Sequence, residues 1–364
     1  MSAEAAPLRH LLERLLDGGH LSEPEAAELL SALTDAQLAP AMAGALLAAL
    51  RAKRVTAAEL RGFASRMRAL ARRPQLPPLP DAVDIVGTGG DRSGSLNLST
   101  GAALLAAACG VPVFKHGNRS VSSRAGSADV LEALGLPLPL DEQAAGRCFA
   151  ELHFTFLFAP YYHAATRSIA PVRAALGVRT VFNVLGPLSN PAAPPHLVVG
   201  SFDLETAELM AGALEGTHVK RAFVIHGAEG WDEPTPVGAF TVFDVGSSGV
   251  RRERRTPDDY GLPHCESSEL LGGDAAHNAR ELRRVLCGEP VAAGGRGRHE
   301  AQRDPHRDAL LLGAALALEV SGRESAPRAA LARAAQAIDS GAARDLLVRL
   351  ERFGANEASR QRSA

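Results

Sequence analysis

Two consecutive units of strand, polar loop and helix constrain the fold of this 364-residue chain more than any other feature. An apolar run at residues 82–86 leads into the glycine loop, residues 87–91. A second apolar run at residues 111–114 leads into the polar segment, residues 115–129, whose end starts a helix. Short apolar runs that alternate with helical stretches are typical of a parallel sheet covered by helices, with ligands at the carboxyl ends of the strands. The sequence therefore predicts an α/β fold in which the two loops can share one ligand.

The polar segment has the composition of an anion-binding loop. It combines the cations Lys115, Arg119 and Arg124 with four serines and two glycines. Charged side chains, hydroxyls and backbone N–H groups near glycine together suit a multiply charged phosphate. Taken alone, the segment fits equally well a solvated loop that ends at a helix N-terminus.

The glycine loop favours the phosphate interpretation. Three glycines in four positions let the backbone approach an anion closely, whereas Asp91 is better suited to a hydroxyl or a metal ion. Four polar side chains then precede a helix at residues 101–109: Ser95, Asn97, Ser99 and Thr100. One of them is expected to cap this helix, and the others could hold phosphate or Mg²⁺ oxygens. The loop is neither the dinucleotide fingerprint nor a Walker loop.

Composition excludes several other classes of protein. The formal net charge of −2 argues against broad nucleic-acid binding, which needs a basic surface. No apolar run approaches the roughly 20 residues of a membrane span, and charged residues within positions 1–16 predict no signal peptide. The four cysteines form no Cys-x-x-Cys pair, so we expect neither zinc nor a disulfide framework. We expect a cytoplasmic protein without nucleic-acid or membrane partners.

The chain divides at a proline-rich stretch. Residues 1–73 are predicted to form a small helical N-terminal domain, completed by helices near residues 163–180. Residues 74–80 contain four prolines and are predicted to be a linker. Residues 81–364 are predicted to form a large α/β domain with a mainly parallel central sheet flanked by helices.

Several motifs occur in an order that resembles the anthranilate phosphoribosyltransferase family, within the nucleoside phosphorylase and phosphoribosyltransferase fold family. Besides the glycine loop, they are Asn97-Leu98-Ser99-Thr100, Lys115-His116-Gly117-Asn118-Arg119, Phe158-Ala159-Pro160, Pro171-Val172-Arg173, residues 182–191, His226-Gly227 and Asp232-Glu233. The likeness extends from the N-terminal helices to residues 337–341.

This resemblance implies a reaction, a cofactor and an assembly. The family transfers 5-phosphoribose from phosphoribosyl pyrophosphate (PRPP) to the amine of anthranilate, releasing pyrophosphate, as a step of tryptophan biosynthesis. It implies Mg²⁺ as the cofactor and a homodimer formed through the N-terminal helices. No protein nucleophile is required, because the leaving group is the anion of a strong acid.

The resemblance also implies three sets of site residues. The donor, PRPP, would be bound by Gly87, Gly90, Asp91, Ser95, Asn97, Leu98, Ser99, Thr100, Lys115, His116, Gly117, Asn118, Arg119, Ser120, Val121, Ser122, Ser123 and Ser127. The acceptor, anthranilate, would be bound by Gly87, His116, Asn118 and Arg173. The metal would be held by Ser99, Asp232 and Glu233.

Some of these residues have an alternative interpretation, and two others have expected roles in the reaction. Without the resemblance, Arg173 would be read as a surface charge, and Asp232 and Glu233 as solvated turn residues. Lys115 is expected to stabilise the departing pyrophosphate together with Mg²⁺. His116 is not expected to act as the base, because an aniline-type amine is weakly basic.

Four positions depart from the family pattern and leave the acceptor open: Arg92, Tyr162, Ala164 and Trp231. A paralogue that uses the same donor with another aromatic acceptor is therefore the main alternative. A pyrimidine nucleoside phosphorylase fits the loops poorly, and a non-catalytic nucleic-acid or regulatory protein would not need the acidic pair. The Gly-, Arg- and His-rich residues 288–306 have no predicted function.

Overall fold

The computed structural model describes residues 5–120, 124–291 and 303–363. Its strands are β1 (Val83–Gly87), β2 (Val113–Gly117), β3 (Phe154–Phe158), β4 (His196–Gly200), β5 (Arg221–His226), β6 (Phe240–Gly246) and β7 (Gly249–Arg255). They form one sheet in the order β3-β2-β1-β4-β5-β6-β7. The first five in this order are parallel, and β6 is antiparallel to both of its neighbours, β5 and β7. The predicted α/β class with a mainly parallel sheet is confirmed.

The N-terminal part is helical, as predicted. It contains α1 (Ala5–Leu16), α2 (Glu23–Leu33), α3 (Pro40–Lys53) and α4 (Ala57–Leu70). Two capping boxes start α2 and α4, with Ser22 and Thr56 as the N-caps. Helices α2 and α4 approach closely at Gly62, where a Cβ atom would lie 2.2 Å from the Glu23 carbonyl oxygen.

Further helices connect and cover the strands. They are α5 (Leu98–Ala108), α6 (Ser127–Ala133), α7 (Glu142–Leu152), α8 (Ala159–Tyr162), α9 (Ala170–Leu176), α10 (Phe182–Leu185), α11 (Leu204–Leu214), α12 (Pro257–Tyr260), α13 (Ala275–Leu286), α14 (Pro305–Val320), α15 (Pro327–Asp339) and α16 (Ala342–Ser363). Of residues 288–306, positions 292–302 lie outside the described part of the chain.

The sheet separates two hydrophobic cores, and alternate strand residues face each of them. On β4, Val198 packs in the core that contains α5 and α14, whereas Leu197 and Val199 pack in the core that contains α2, α3, α4 and α11. On β5, Phe223 faces the first core and Val224 the second. This two-residue alternation is the geometry of a strand buried on both faces.

The segment after β3 packs against the N-terminal helices. Ser168 Oγ donates a hydrogen bond to the Thr34 carbonyl oxygen (2.8 Å), and Ile169 lies in the second core. The domain boundaries drawn from the sequence stay a prediction. No helix in the described part of the chain is both long and apolar enough to cross a lipid bilayer.

Candidate active site

The glycine loop and the polar segment leave adjacent strands. Strand β1 pairs in parallel with β2 on one side and with β4 on the other, and Gly87 lies opposite Gly200. Since parallel neighbours end at the same edge of a sheet, the two loops emerge side by side. The prediction that these loops meet at one edge is confirmed.

Glycines at the strand ends let the acidic segment, residues 231–233, rest directly on the sheet. A Cβ atom at Gly87 would lie 2.3 Å from Asp232 Oδ2, and one at Gly200 only 1.5 Å from the Asp232 carbonyl oxygen. At Gly227 it would lie 2.2 Å from the Glu233 carbonyl oxygen. Any larger residue would displace the acidic segment, so these contacts require glycine.

The acidic pair connects the glycine loop to helix α5. The Gly89 N–H donates to Asp232 Oδ2 (2.5 Å), and the Ser99 N–H donates to Glu233 Oε1 (3.2 Å). The Asp232 N–H donates to Asp91 Oδ2 (3.4 Å). Asp232 is only 7% exposed, so the interpretation of the pair as a solvated turn is wrong.

Burial of two neighbouring carboxylates makes this an electronegative site. Burial raises the pKa of Asp232 well above its ordinary value, and the charges of Glu233 and Asp91 raise it further. Burial also raises the pKa of Glu233, against the nearby ammonium of Lys115. A bound cation would relieve this repulsion.

The donor atoms of the acidic pair fit Mg²⁺. They are carboxylate oxygens, beside the start of α5 that carries Ser99. In the described residues, no group of three or more His, Cys, Asp or Glu side chains is arranged to hold a metal. Mg²⁺ is commonly bound by one or two carboxylates together with substrate phosphates and water, so a two-carboxylate site is sufficient for it.

Lys115 lies in the sheet below the loops. It is 1% exposed, and its Nζ donates a hydrogen bond to the Ile85 carbonyl oxygen. Burial lowers the pKa of Lys115, while the carboxylates of Asp84 and Glu233 act in the opposite direction. The ammonium is therefore placed between a structural carboxylate and the acidic pair.

Asp84 is a buried carboxylate that the sequence analysis missed. It accepts hydrogen bonds from the His116 N–H (3.1 Å) and from Asn190 Nδ2 (2.8 Å). Burial raises the pKa of Asp84 to about 6, although the charge of Lys115 lowers it. The signal was an acidic residue within the apolar run 82–86, where a strand buried on both faces tolerates a charge only with partners.

Arg119 is held by helix α6 in this structure. Its Nη1 lies 2.9 Å from Asp129 Oδ1, and its Nη2 lies 2.7 Å from Glu132 Oε1. Asp129 also accepts hydrogen bonds from the N–H groups of Ser120 (3.2 Å) and Gly126 (2.8 Å). Ser120 and Gly126, two residues within the polar segment, are thus tied together by the Asp129 carboxylate.

Several other predicted donor ligands that the structure describes belong to the segments at the same edge. Ser127 Oγ donates to the Asn118 carbonyl oxygen (3.1 Å), and Ser93 Oγ bonds to Ser95 Oγ (3.1 Å). Leu98 is buried in the core, and Thr100 Oγ1 is buried without a hydrogen-bond partner among the described residues. Val121, Ser122 and Ser123 lie outside the described residues.

The expected side-chain cap of helix α5 is wrong. Asn97 occupies the N-cap position, but its side chain makes no capping hydrogen bond. The Glu233 carboxylate accepts the Ser99 N–H instead (3.2 Å). A carboxylate at a helix N-terminus is favourable, and here it comes from a segment distant in sequence, which a local capping rule cannot detect.

Two buried histidines form a second part of the site. The rings of His116 and His163 meet edge to face with centroids 5.0 Å apart, and His116 Nδ1 donates to the Gly186 carbonyl oxygen (3.2 Å). His116 Nε2 is buried without a partner among the described residues. Burial lowers the pKa of His116 to about 3 and that of His163 to about 4, so both rings are neutral near pH 7. Sequence reasoning did not assign His163 to the site, although it singled out the two adjacent positions, Tyr162 and Ala164.

Arg173 and Arg179 lie close in sequence but differ in their contacts. Arg173 on α9 stacks on Phe182, 5.1 Å from the ring centroid, and its guanidinium forms no ion pair with any described residue. Arg179 donates to the Gly90 carbonyl oxygen (2.6 Å) and stacks on Phe202 at 3.7 Å. Arg179 therefore fastens the glycine loop, while Arg173 remains available for an anion.

Two of the four departures from the family pattern are core residues. Tyr162 is fully buried, and its hydroxyl donates to the Leu140 carbonyl oxygen (3.2 Å). Trp231 is 5% exposed and lies in the first core. Ala164 is half-buried in a short 3₁₀ turn, and Arg92 is exposed with φ of +63°. The phenol of Tyr162 is thus committed to the core.

Comparison with known proteins gives consistent matches along the chain. Residues 79–344 match the model of the glycosyl transferase family, a/b domain, and residues 9–71 match the helical bundle domain of that family. Over 347 residues, the chain is 46% identical to an anthranilate phosphoribosyltransferase of Desulforudis audaxviator, covering 95% of this chain and 96% of the relative.

Solved structures agree with the sequence matches. The chain is similar to the anthranilate phosphoribosyltransferase of Thermus thermophilus, with a TM-score of 0.85 and 42% identity over 94% of this chain and 98% of that one. It is also similar to the Saccharomyces cerevisiae enzyme in complex with PRPP and Mg, with a TM-score of 0.85 and 27% identity over 96% and 98% of the two chains.

Proposed function

The chain belongs to the anthranilate phosphoribosyltransferase family, and from this premise we infer that it transfers 5-phosphoribose from PRPP to the amine of anthranilate, releasing pyrophosphate. It is a glycosyltransferase of the phosphoribosyl-transferring type. The observation that carries this function is the full-length identity of 46%, which spans both loops and the acidic pair. The reaction belongs to tryptophan biosynthesis.

We propose that PRPP lies across the carboxyl ends of β1 and β2. The backbone of the glycine loop and the polar segment would hold the phosphates, together with the residues that begin α5. The hydrogen bonds from the Gly89 and Ser99 N–H groups to the carboxylates of Asp232 and Glu233 support this placement, since they join the glycine loop and the start of α5 through the acidic segment. The hydrogen bond from Asn97 Nδ2 to the Ala125 carbonyl oxygen joins the start of α5 to the polar segment. Arg119 is proposed to act on the donor only if it leaves Asp129 and Glu132, with which it pairs here.

The cofactor is Mg²⁺, and we propose that Asp232, Glu233 and Ser99 hold it. When bound, Mg²⁺ neutralises charge on the pyrophosphate oxygens. The chain contributes two neighbouring carboxylates, the buried Asp232 and the half-buried Glu233, whose oxygens are ligands that Mg²⁺ accepts.

The chemistry needs little from the protein beyond placement and charge. The bond from ribose C1 to the pyrophosphate oxygen breaks, a bond from C1 to the anthranilate nitrogen forms, and the amine loses one proton. In the transition state, positive charge develops on the ribose carbon and negative charge on the departing pyrophosphate. The ammonium of Lys115 would stabilise the negative charge. The remaining contribution is to orient the amine for in-line attack.

We propose that Arg173, Asn118, His116 and the backbone at Gly87 bind the acceptor. An unpaired, half-buried guanidinium suits the anthranilate carboxylate, which it can bind with two parallel hydrogen bonds. The neutral His116 offers a bare Nε2 atom. A ring with so low a pKa is a weak base, so no strong base is assigned to the reaction.

We propose further that the protein acts in the cytoplasm as a homodimer that associates through its N-terminal helices. Leu16 at the end of α1 is 66% exposed, which provides apolar surface for such a contact. We also propose the domain division at the proline-rich residues 74–80.

The function is tested by following pyrophosphate release from PRPP and Mg²⁺ with anthranilate and with a panel of other aminobenzoates. We expect turnover with anthranilate and little with the others. Turnover with another aromatic amine alone would identify the protein as a paralogue. If no pyrophosphate is released with any acceptor, the proposed activity is contradicted.

A further inference from the structure

We propose that Asn278 is a positioning residue for the donor site, which acts by fixing the side-chain amide of Asn97. Asn278 lies on α13, far in sequence from both loops, and is 2% exposed. The proposal rests on the proposed function, because it concerns the site assigned there to PRPP.

Two amide side chains form a chain of hydrogen bonds that ends in the polar segment. The Gly273 N–H donates to Asn278 Oδ1 (2.6 Å), and Asn278 Nδ2 donates to Asn97 Oδ1 (2.8 Å). Asn97 Nδ2 in turn donates to the Ala125 carbonyl oxygen (3.0 Å). Residues 273, 278, 97 and 125 are therefore connected in series.

This series determines which way the amide of Asn97 faces. Because Asn278 presents an N–H to Asn97, the oxygen of Asn97 must face α13 and its NH₂ group must face the polar segment. An amide NH₂ carries two donors, and the Ala125 carbonyl uses one. The second donor is left for an anion at the edge where the glycine loop and the polar segment meet.

Asn97 is not needed for the local role that its position suggests. It is the N-cap residue of α5, yet its side chain makes no capping hydrogen bond, since Glu233 accepts the Ser99 N–H. Asn278 is likewise not needed to cap α13, because Asp274 accepts the His277 N–H (2.7 Å). Both amides therefore serve to connect α13, the start of α5 and the polar segment.

Backbone contacts before α13 place Asn278 next to Asn97. The Gly272 N–H donates to the Gly94 carbonyl oxygen (2.9 Å), and the Leu96 N–H donates to the Leu270 carbonyl oxygen (2.9 Å). A Cβ atom at Gly272 would lie 2.8 Å from the Ser95 carbonyl oxygen and 2.9 Å from Asn278 Oδ1. The turn before α13 therefore lies directly against the segment that begins α5.

The test compares Asn278→Ala and Asn278→Asp with the wild type, using calorimetric titration with PRPP and Mg²⁺. Asp keeps the acceptor for Gly273 but presents no donor to Asn97 at neutral pH, so this variant breaks only the second link. We expect donor affinity to fall about five- to tenfold in both, the effect of one hydrogen bond. The KM for anthranilate should change less than twofold. Arg280→Ala, an exposed change on the same helix, is the matched control.

A double-mutant cycle with Asn97→Ala separates positioning from general stability. If Asn278 acts through Asn97, then Asn278→Ala should cause no further loss of donor affinity in the Asn97→Ala background. Additive losses, or wild-type donor affinity in Asn278→Asp, would overturn the proposal. Thermal unfolding of each variant shows whether it is folded, and Asn278→Asp serves if Asn278→Ala is not. A wild type that binds no PRPP would instead refute the proposed donor site, and this inference with it.

Discussion

The two halves of the candidate site are built differently. In the proposed donor half, backbone N–H groups and glycine contacts connect the glycine loop, the acidic pair and the start of α5. In the proposed acceptor half, the main groups are side chains whose polar atoms have no protein partner among the described residues, such as Arg173 and His116 Nε2. The donor half is held by contacts between the main chain and the acidic pair, and the acceptor half depends on individual side chains.

This contrast indicates which positions of the site tolerate substitution. Backbone contacts that require glycine leave almost no choice of residue, because any Cβ atom would collide with the acidic segment. Unpaired side chains can be exchanged at the cost of one interaction each. We therefore expect changes in the donor half to abolish turnover and changes in the acceptor half to alter substrate preference.

The largest effect is expected from the acidic pair. Asp232→Asn combined with Glu233→Gln removes both negative charges while keeping the shape of each side chain. Turnover should fall by at least about 10³-fold, because charge stabilisation of the departing pyrophosphate depends on the metal held there. The dependence of kcat on Mg²⁺ concentration should also weaken. Steady-state kinetics across a Mg²⁺ series provides the measurement.

The control for this change is Glu229→Gln, an exposed position in the neighbouring turn. It removes one negative charge near the same segment and should leave kcat within about twofold of the wild type, as surface changes usually do. Equal losses in Glu229→Gln and in the acidic-pair variant would show that the net charge of the turn matters and that the two carboxylates are not special.

An intermediate effect is expected at Arg173. Arg173→Ala should raise the KM for anthranilate about 10- to 100-fold, because a charge-assisted pair with a carboxylate contributes about 1.5–3 kcal/mol. The KM for PRPP should change little. Arg173→Lys keeps the charge but loses the planar guanidinium, so its KM for anthranilate should lie between those of the wild type and Arg173→Ala. Arg167→Ala, an exposed neighbour, is the control; a larger effect on PRPP than on anthranilate would place Arg173 in the donor half.

The smallest effect is expected from the buried histidines, and it concerns stability. Burial lowers the pKa of His163 from its ordinary 6.5 to about 4, so below pH 6.5 the unfolded chain takes up a proton that the folded one refuses. The free energy of unfolding should therefore fall as pH drops from 6.5 towards 4, by up to about 1 kcal/mol per pH unit for this ring. His163→Gln should show a shallower decline between pH 7 and pH 5 in urea titrations. His10→Gln, at an exposed position, should follow the wild type; an unchanged slope in His163→Gln would contradict a neutral buried ring.

The sequence allowed the donor half to be located but not its internal contacts. Two apolar runs, each followed by a polar loop, were enough to place the glycine loop beside the polar segment, because parallel strands end at one edge. The acidic pair was found only through the family motif, since adjacent carboxylates in a turn are common on surfaces. Its burial depends on glycines at positions 87, 200 and 227, which meet only in three dimensions.

Other features could not be read from local patterns. The pairing of Arg119 with Asp129 and Glu132 involves side chains 10 and 13 residues away, and Glu132 lies beyond the polar segment. Asp84, His163 and Asn278 are buried polar residues that lie on a strand, in a short turn and on a helix respectively. The role of a buried polar residue depends on its hydrogen-bond partner, which lies elsewhere in the chain. The spacing of apolar residues in the sequence does not reveal that partner.

The glycine contacts beneath the acidic segment have a consequence for attempts to redesign this enzyme. At position 200, even one methyl group would fall 1.5 Å from the carbonyl oxygen of Asp232, which is about the length of a covalent bond. Libraries that vary residues 87, 200 and 227 would consist mostly of inactive members, whatever substrate is offered. Effort spent on a new aromatic acceptor belongs on helix α9 and the two histidines, where a lost contact can be replaced by a different side chain.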